Sequence, residues 1–234
     1  MQTDNKNFEK KYTSKLYRFF DLLYKLLVIN ISIVILSLPI ITMFPMIVAA
    51  TATIKNDLQQ TSIFKALFLN FKKYFKRSVK MGLCLLLAFG AGIYGYLFWS
   101  FQDFNNNQTM ETIAQIAIIV LIICLIIFMF IIVHIPLLMI TFEKLDNYQI
   151  FKMSLFLSVR YFITTLLMLV SLAVILGVLF LCLIQPGLLA VWMIFGISLP
   201  MYLVIKFTTP IYYRFAKIDF QKINERIDEE LKDE

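Results

Sequence analysis

One histidine, His134, and a group of uncharged polar residues that includes Asn30, Thr42 and Thr51 are the side chains of this chain best suited to bind or move a ligand inside an apolar interior. His134 lies two residues before Pro136, where it can hold a substrate or pass a proton. The competing reading is a hydrogen bond between helices, which also helps satisfy the carbonyl near Ile132 that Pro136 leaves free. Asn30, Ser32, Ser37, Thr42, Thr51 and Thr53 surround two prolines, Pro39 and Pro45. Short helices that meet at such breaks present N–H and C=O groups to an uncharged solute, although Ser, Thr and Asn equally serve to join helices.

Catalytic chemistry has little to work with. The sequence offers no nucleophile–base pair, metal-ligand cluster, glycine-rich phosphate loop or paired carboxylates, so neither an enzyme nor a cofactor is expected. Cys84, Cys124 and Cys182 sit in separate apolar runs without CxxC spacing, which reads as packing.

These residues must be positioned by a membrane fold. Of 234 residues, 60% are hydrophobic and 16% charged, whereas soluble domains carry about 25% charged residues. That excess cannot be hidden in a water-soluble core, and it excludes disordered and disulfide-framework classes. The net charge of +7 therefore points to the anionic cytoplasmic leaflet as partner, not to nucleic acid.

Four stretches, 81–101, 113–140, 162–184 and 188–205, are apolar enough to span and contain no Asp, Glu, Lys or Arg. A proton-coupled carrier with a buried carboxylate is disfavoured accordingly. Lys and Arg gather before residue 22, in 55–80, in 142–161 and from Lys206 onward, while 102–112 and 185–187 have none. The positive-inside rule puts the basic segments and both termini in the cytoplasm. Region 22–54 must then cross an even number of times, as a hairpin or deep re-entrant pair turning around Pro39–Pro45. Its arm 45–54 is short and rich in Ala and Thr, which predicts packing against protein. The first apolar run follows about twenty polar and aromatic residues, and it is expected to stay as an anchor rather than be cleaved.

The expected fold is an all-α polytopic membrane helical bundle: four clear spans plus a Pro-broken N-terminal hairpin, with amphipathic interfacial helices. Residues 1–21 form a basic amphipathic cytoplasmic helix, 22–206 the membrane domain, and 207–234 an amphipathic tail ending in Asp228, Glu229, Glu230, Asp233 and Glu234. Within the domain, 61–80 reads as an interfacial helix. Phe64, Phe68, Phe71 and Phe75 share one face of it, and Lys65, Lys72, Lys73, Lys76, Arg77 and Lys80 lie opposite, poised for the membrane surface. Ala88/Gly92 and Ala91/Gly95 give small-xxx-small spacing, which serves either packing within the subunit or a homo-oligomer.

The stretch 22–82 resembles the YesL-like membrane proteins, domain-of-unknown-function family 624. The matching residues are Asn30, Leu38-Pro39, Thr42, Pro45 and Ala49-Ala50. They are followed by the phenylalanine-spaced basic helix with Ser78 and Gly82. Where the family has Gly-Pro-Ala-Thr-Ala-Ala, this chain has Phe44 before Pro45, and Met46-Ile47-Val48 before Ala49. The resemblance implies a Gram-positive plasma-membrane protein that accompanies carbohydrate uptake, with subunits of an ABC sugar importer as partners. The loop 143–146 lacks the EAA pattern of standard ABC permeases, so the chain itself reads as an accessory component. The other reading is an autonomous small-solute carrier or channel with its site at the broken hairpin.

Overall fold

The structure, a computed structural model, describes residues 15–59, 62–102 and 108–230, with side chains described up to 214. The expected outer loop at 103–107, most of the N-terminal helix and the acidic side chains of the tail lie outside the described residues. Among the described residues nine α-helices follow one another: α1 (Lys15–Leu36), α2 (Ile40–Ala52), α3 (Ile63–Phe101), α4 (Gln108–Ile132), α5 (Ile135–Thr141), α6 (Asn147–Arg160), α7 (Phe162–Ile184), α8 (Gly187–Phe195) and α9 (Ser198–Glu230). A π-helical turn, Thr53–Asp57, extends α2. Among the described residues there is no strand, and five helical stretches are long and apolar enough to cross a membrane.

Three interruptions shape the bundle, and each has a sequence cause. Between α1 and α2, Pro39 restricts Leu38 to extended backbone and opens the next helix. The turn thus falls at 37–39, before the expected 39–45. Pro45 lies inside α2, where it forgoes one bond to the carbonyl of Ile41 near the helix start. Between α4 and α5, Pro136 removes the donor for the Ile132 carbonyl. Between α8 and α9, Pro200 cannot donate to the carbonyl of Gly196, and the stretch 188–205 is split there rather than continuous. Gly196 leaves room for the Trp192 ring; an added Cβ would run into its Cδ1.

Elsewhere helices run on where boundaries were expected. From residue 63 onward, the segment expected to end at 80 and the stretch 81–101 form a single 39-residue helix, α3, because nothing between Lys80 and Met81 breaks it. At 1.5 Å per residue α3 is about 58 Å long, twice the hydrocarbon thickness. Likewise α9 passes 206 without interruption.

The core is built around α2. One of its faces, Val48 and Ala52, packs with Tyr74 and Met81 of α3, with α5, and with Ile150, Leu157 and Tyr212. The other, Met46, Ala49 and Ala50, packs with Ile29 and Ile33 of α1, Leu67 of α3 and Ile205 of α9. Small residues make this double approach possible. Phe44 lies against Gly82, and Thr53 bonds Asn70, so α2 and α3 run antiparallel. Burial fades away from the end where Lys55, Lys73 and Glu143 gather, the charged end: α4 buries only Ala114 and Ile131, and α8 buries nothing.

Candidate functional site

Asn30 is fully buried on α1 and reaches the break between α8 and α9. Its Nδ2 donates to the carbonyls of Trp192 (3.1 Å) and Met193 (2.7 Å). Its Oδ1 accepts from the N–H groups of Ile197 and Ser198, both at 2.9 Å. An amide has two donors and two lone pairs, and all four are taken by backbone groups at the helix break, three of them orphaned by it. Asn30 acts as a brace.

Thr42 does the same work at the first break. Its hydroxyl lies 2.6 Å from the Leu36 carbonyl and 2.8 Å from that of Pro39. Thr51, which is buried, donates to its own helix at Ile47 (2.7 Å). Thr53 donates to Ala49 (2.9 Å) and accepts from Asn70 (3.0 Å). Asn30, Thr42, Thr51 and Thr53 therefore engage four separate partner sets.

His134 is buried in the break between α4 and α5. Nε2 lies 2.8 Å from Thr165 Oγ1, and Nδ1 meets the Tyr212 hydroxyl. Thr165 also lies within reach of the carbonyls of Tyr161 and Ser158. If its hydroxyl donates there, a neutral His134 with its proton on Nε2 gives to Thr165 and accepts from Tyr212. Beside it, Ser154 and Ser158, one turn apart on α6, donate to the carbonyls of Ile131 and Phe130. These serines satisfy the end of α4. No periodicity pairs them with Pro136, since burial is what reveals the partnership.

The charged end holds the densest polar contacts. Lys73 bonds Glu143 at 2.7 Å, and the Tyr74 hydroxyl donates to the same carboxylate oxygen. Arg77 donates to the carbonyls of Glu143 (2.8 Å) and Leu145, closing the turn after α5. The Lys73 hydrogen bond, then that of Tyr74, holds the Glu143 carboxyl below the usual glutamate range. Lys55, in the π-helical turn, donates to Thr141 (2.7 Å) and lies over the Tyr213 ring. Its partial burial lowers its pKa, against an opposing pull from Glu143. Of the six basic residues expected at the membrane surface, Lys73 and Arg77 thus grip the 143–147 turn. Lys65, Lys72, Lys76 and Lys80 stay exposed.

The described residues also form concavities. A polar cleft of about 460 Å³ is lined by Arg18, Asp21, Leu22, Lys25, Leu58 and Gln59. A wholly apolar groove of about 440 Å³ lies among Phe89, Leu125, Met129 and Leu169. Gly92 and Gly95 of the small-residue pattern face Leu125 and Leu121 of α4, so they are used within the chain. Among the described residues no three His, Cys, Asp or Glu side chains gather as metal ligands.

Long apolar helices with braced breaks define a membrane-embedded helical protein. Residues 26–96 match the family described as "Protein of unknown function, DUF624", which takes in the second half of α1, all of α2 and most of α3. The match supports the family expected from 22–82. No curated protein and no solved structure matches the chain.

Proposed function

We propose that this chain is a non-enzymatic, multi-pass plasma-membrane protein that serves as an accessory component of carbohydrate uptake, in contact with subunits of an ABC-type importer. The observation that carries the reading is the division of its polar groups. Of those inside the apolar helices, Asn30, Thr42 and His134 are committed at breaks, and Thr51 to a carbonyl of its own helix. Lys65, Lys72, Lys76 and Lys80 remain exposed on a helix clamped in place by Arg77. A rigid, outward-facing basic surface suits an anionic leaflet and an acidic protein surface.

Both termini are assigned to the cytoplasm, with α1 and α2 entering and leaving from that side. The 13 residues of α2 rise about 20 Å, which falls short of the roughly 30 Å hydrocarbon layer. Its burial among other helices supports a re-entrant pair over two full crossings. Co-purification of tagged protein in mild detergent tests the accessory role. Recovery of importer subunits, reduced when Lys72 and Lys76 are both changed to Gln, is the expected result. Protein that brings down no such subunit, yet moves a sugar into liposomes, defeats the reading.

The alternative, an autonomous small-solute carrier, draws on the discontinuous helix pair α8 and α9 beside Asn30. It requires Asn30→Ala or Thr42→Ala to reduce uptake at unchanged membrane abundance.

A further inference from the structure

The polar cleft at the start of α1 is out of place in a protein this apolar. Arg18, Asp21, Leu22 and Lys25 share one face of the helix, at spacings of three and four. They form a wall opposite Leu58 and Gln59, which follow the π-helical turn. Lys25 is only 8% exposed and pairs with Asp21 at 2.7 Å. That pair neutralises the carboxylate, and an ammonium carries three donors, so two remain beyond the one given to Asp21. Arg18 is exposed at the same cleft and adds a planar fork of donors suited to a phosphate. The charged lining is two cations to one carboxylate, a net attraction for an anion.

What surrounds the cleft indicates the source of that anion. Leu16, Phe19, Phe20 and Tyr24, on the same two turns of α1, are 54–67% exposed. Aromatic and aliphatic side chains so placed lie at the boundary between headgroups and acyl chains. A cleft opening there meets phospholipid before it meets solute. Its volume of about 460 Å³ falls within the range of small-ligand sites, about 300–1,000 Å³.

We infer that this cleft holds the phosphate of an anionic phospholipid headgroup, gripped by Arg18 and Lys25, with the Gln59 amide available to the rest of the headgroup. The lipid would tie α1 to the turn after α2. The inference rests on the membrane placement proposed above. Failure of that placement would appear in the sidedness of residues 55–57, not in lipid binding.

The test uses the full chain in detergent, titrated with phosphatidylglycerol, phosphatidylcholine or inorganic phosphate. Native mass spectrometry and thermal unfolding are the readouts. One phosphatidylglycerol per chain is expected to be retained in preference to phosphatidylcholine and to raise Tm. Arg18→Gln should weaken retention about tenfold, the loss of one charge-assisted contact. Gln59→Ala should weaken it less, and Lys152→Gln, exposed on α6, should leave it unchanged. Unaltered retention in Arg18→Gln would overturn the inference, as would equal losses in Arg18→Gln and Lys152→Gln. Protection by inorganic phosphate equal to that by the lipid would overturn the lipid as source and leave a soluble phosphate ligand.

Discussion

A buried amide with both donors and both lone pairs occupied has nothing left to offer a ligand, and Asn30 is in that state. Removing it orphans the Met193 carbonyl and two N–H groups at the break between α8 and α9, and leaves the Trp192 carbonyl with the Gly196 N–H alone. Hydrogen bonds inside membrane proteins average about 0.6 kcal/mol each, and unsatisfied groups cost more. Asn30→Ala should therefore lower stability by about 2–4 kcal/mol, read as a fall in Tm in detergent. A Tm equal to wild type would return Asn30 to the pool of ligand residues. Glu143 gives a pH signature. Its folded pKa is depressed by Lys73 and Tyr74, so its stabilisation is complete above the unfolded glutamate pKa. It is lost as pH falls through the lower folded value. The Lys73–Glu143 pair is half exposed, which keeps the effect below about 1 kcal/mol. Glu143→Gln should flatten the stability profile on the acid side, as urea titrations at a series of pH values would record. At this scale the sequence singled out Asn30 and His134 as polar groups in an apolar interior, without telling brace from binding site. That distinction lies in partners more than 30 residues away, beyond the reach of local spacing.

The helices themselves were largely legible, because long apolar runs and prolines mark them physically. The Pro136 break and the Asp146–Gln149 capping box that starts α6 both follow from local chemistry. What was not legible was continuity. A change from basic to apolar composition at Lys80 looks like a boundary, but composition does not bend a backbone. Labels at Lys65 and Ala91, both exposed on α3, should lie about 39 Å apart in a continuous helix. A much shorter distance by electron spin echo measurement would restore a separate interfacial helix. Glycines on α3 are equally telling. A Cβ at Gly82 would meet the Cβ of Phe44 at 2.7 Å, while one at Gly90 meets nothing within 4 Å. Gly82→Ala should cost about 1–3 kcal/mol through overpacking. Gly90→Ala should be neutral or stabilising by up to about 1 kcal/mol, both read from thermal unfolding. The unusual Phe44 thus has a reason: it fills the space that Gly82 leaves open.

As a whole molecule, the protein is packed at its charged end and sparse at the other. Met46, Val48, Ala49 and Leu138 are wholly buried, while Ile116, Ile119 and Ile123 of α4 each expose more than half of their surface. With the charged end in the cytoplasm, an impermeant thiol reagent on intact cells should label a cysteine at Gln102 and miss cysteines at Asn56 and Lys144. Labelling at Asn56 would make the crossings before it odd in number. The composition forecast a bundle in lipid but not this gradient, since exposed and buried isoleucines are identical letters.

Asn30 also sets a clock. The first described helix carries the amide, and its partners lie 162 to 168 positions later in the chain. At about 5–20 residues per second, a ribosome needs on the order of ten to thirty seconds to supply them. For that interval α1 resides in the membrane with an unanswered polar group, and only completion of the last helix pair answers it. A chain that stops short of α9 therefore carries its own mark of incompleteness, available to whatever inspects unfinished membrane proteins.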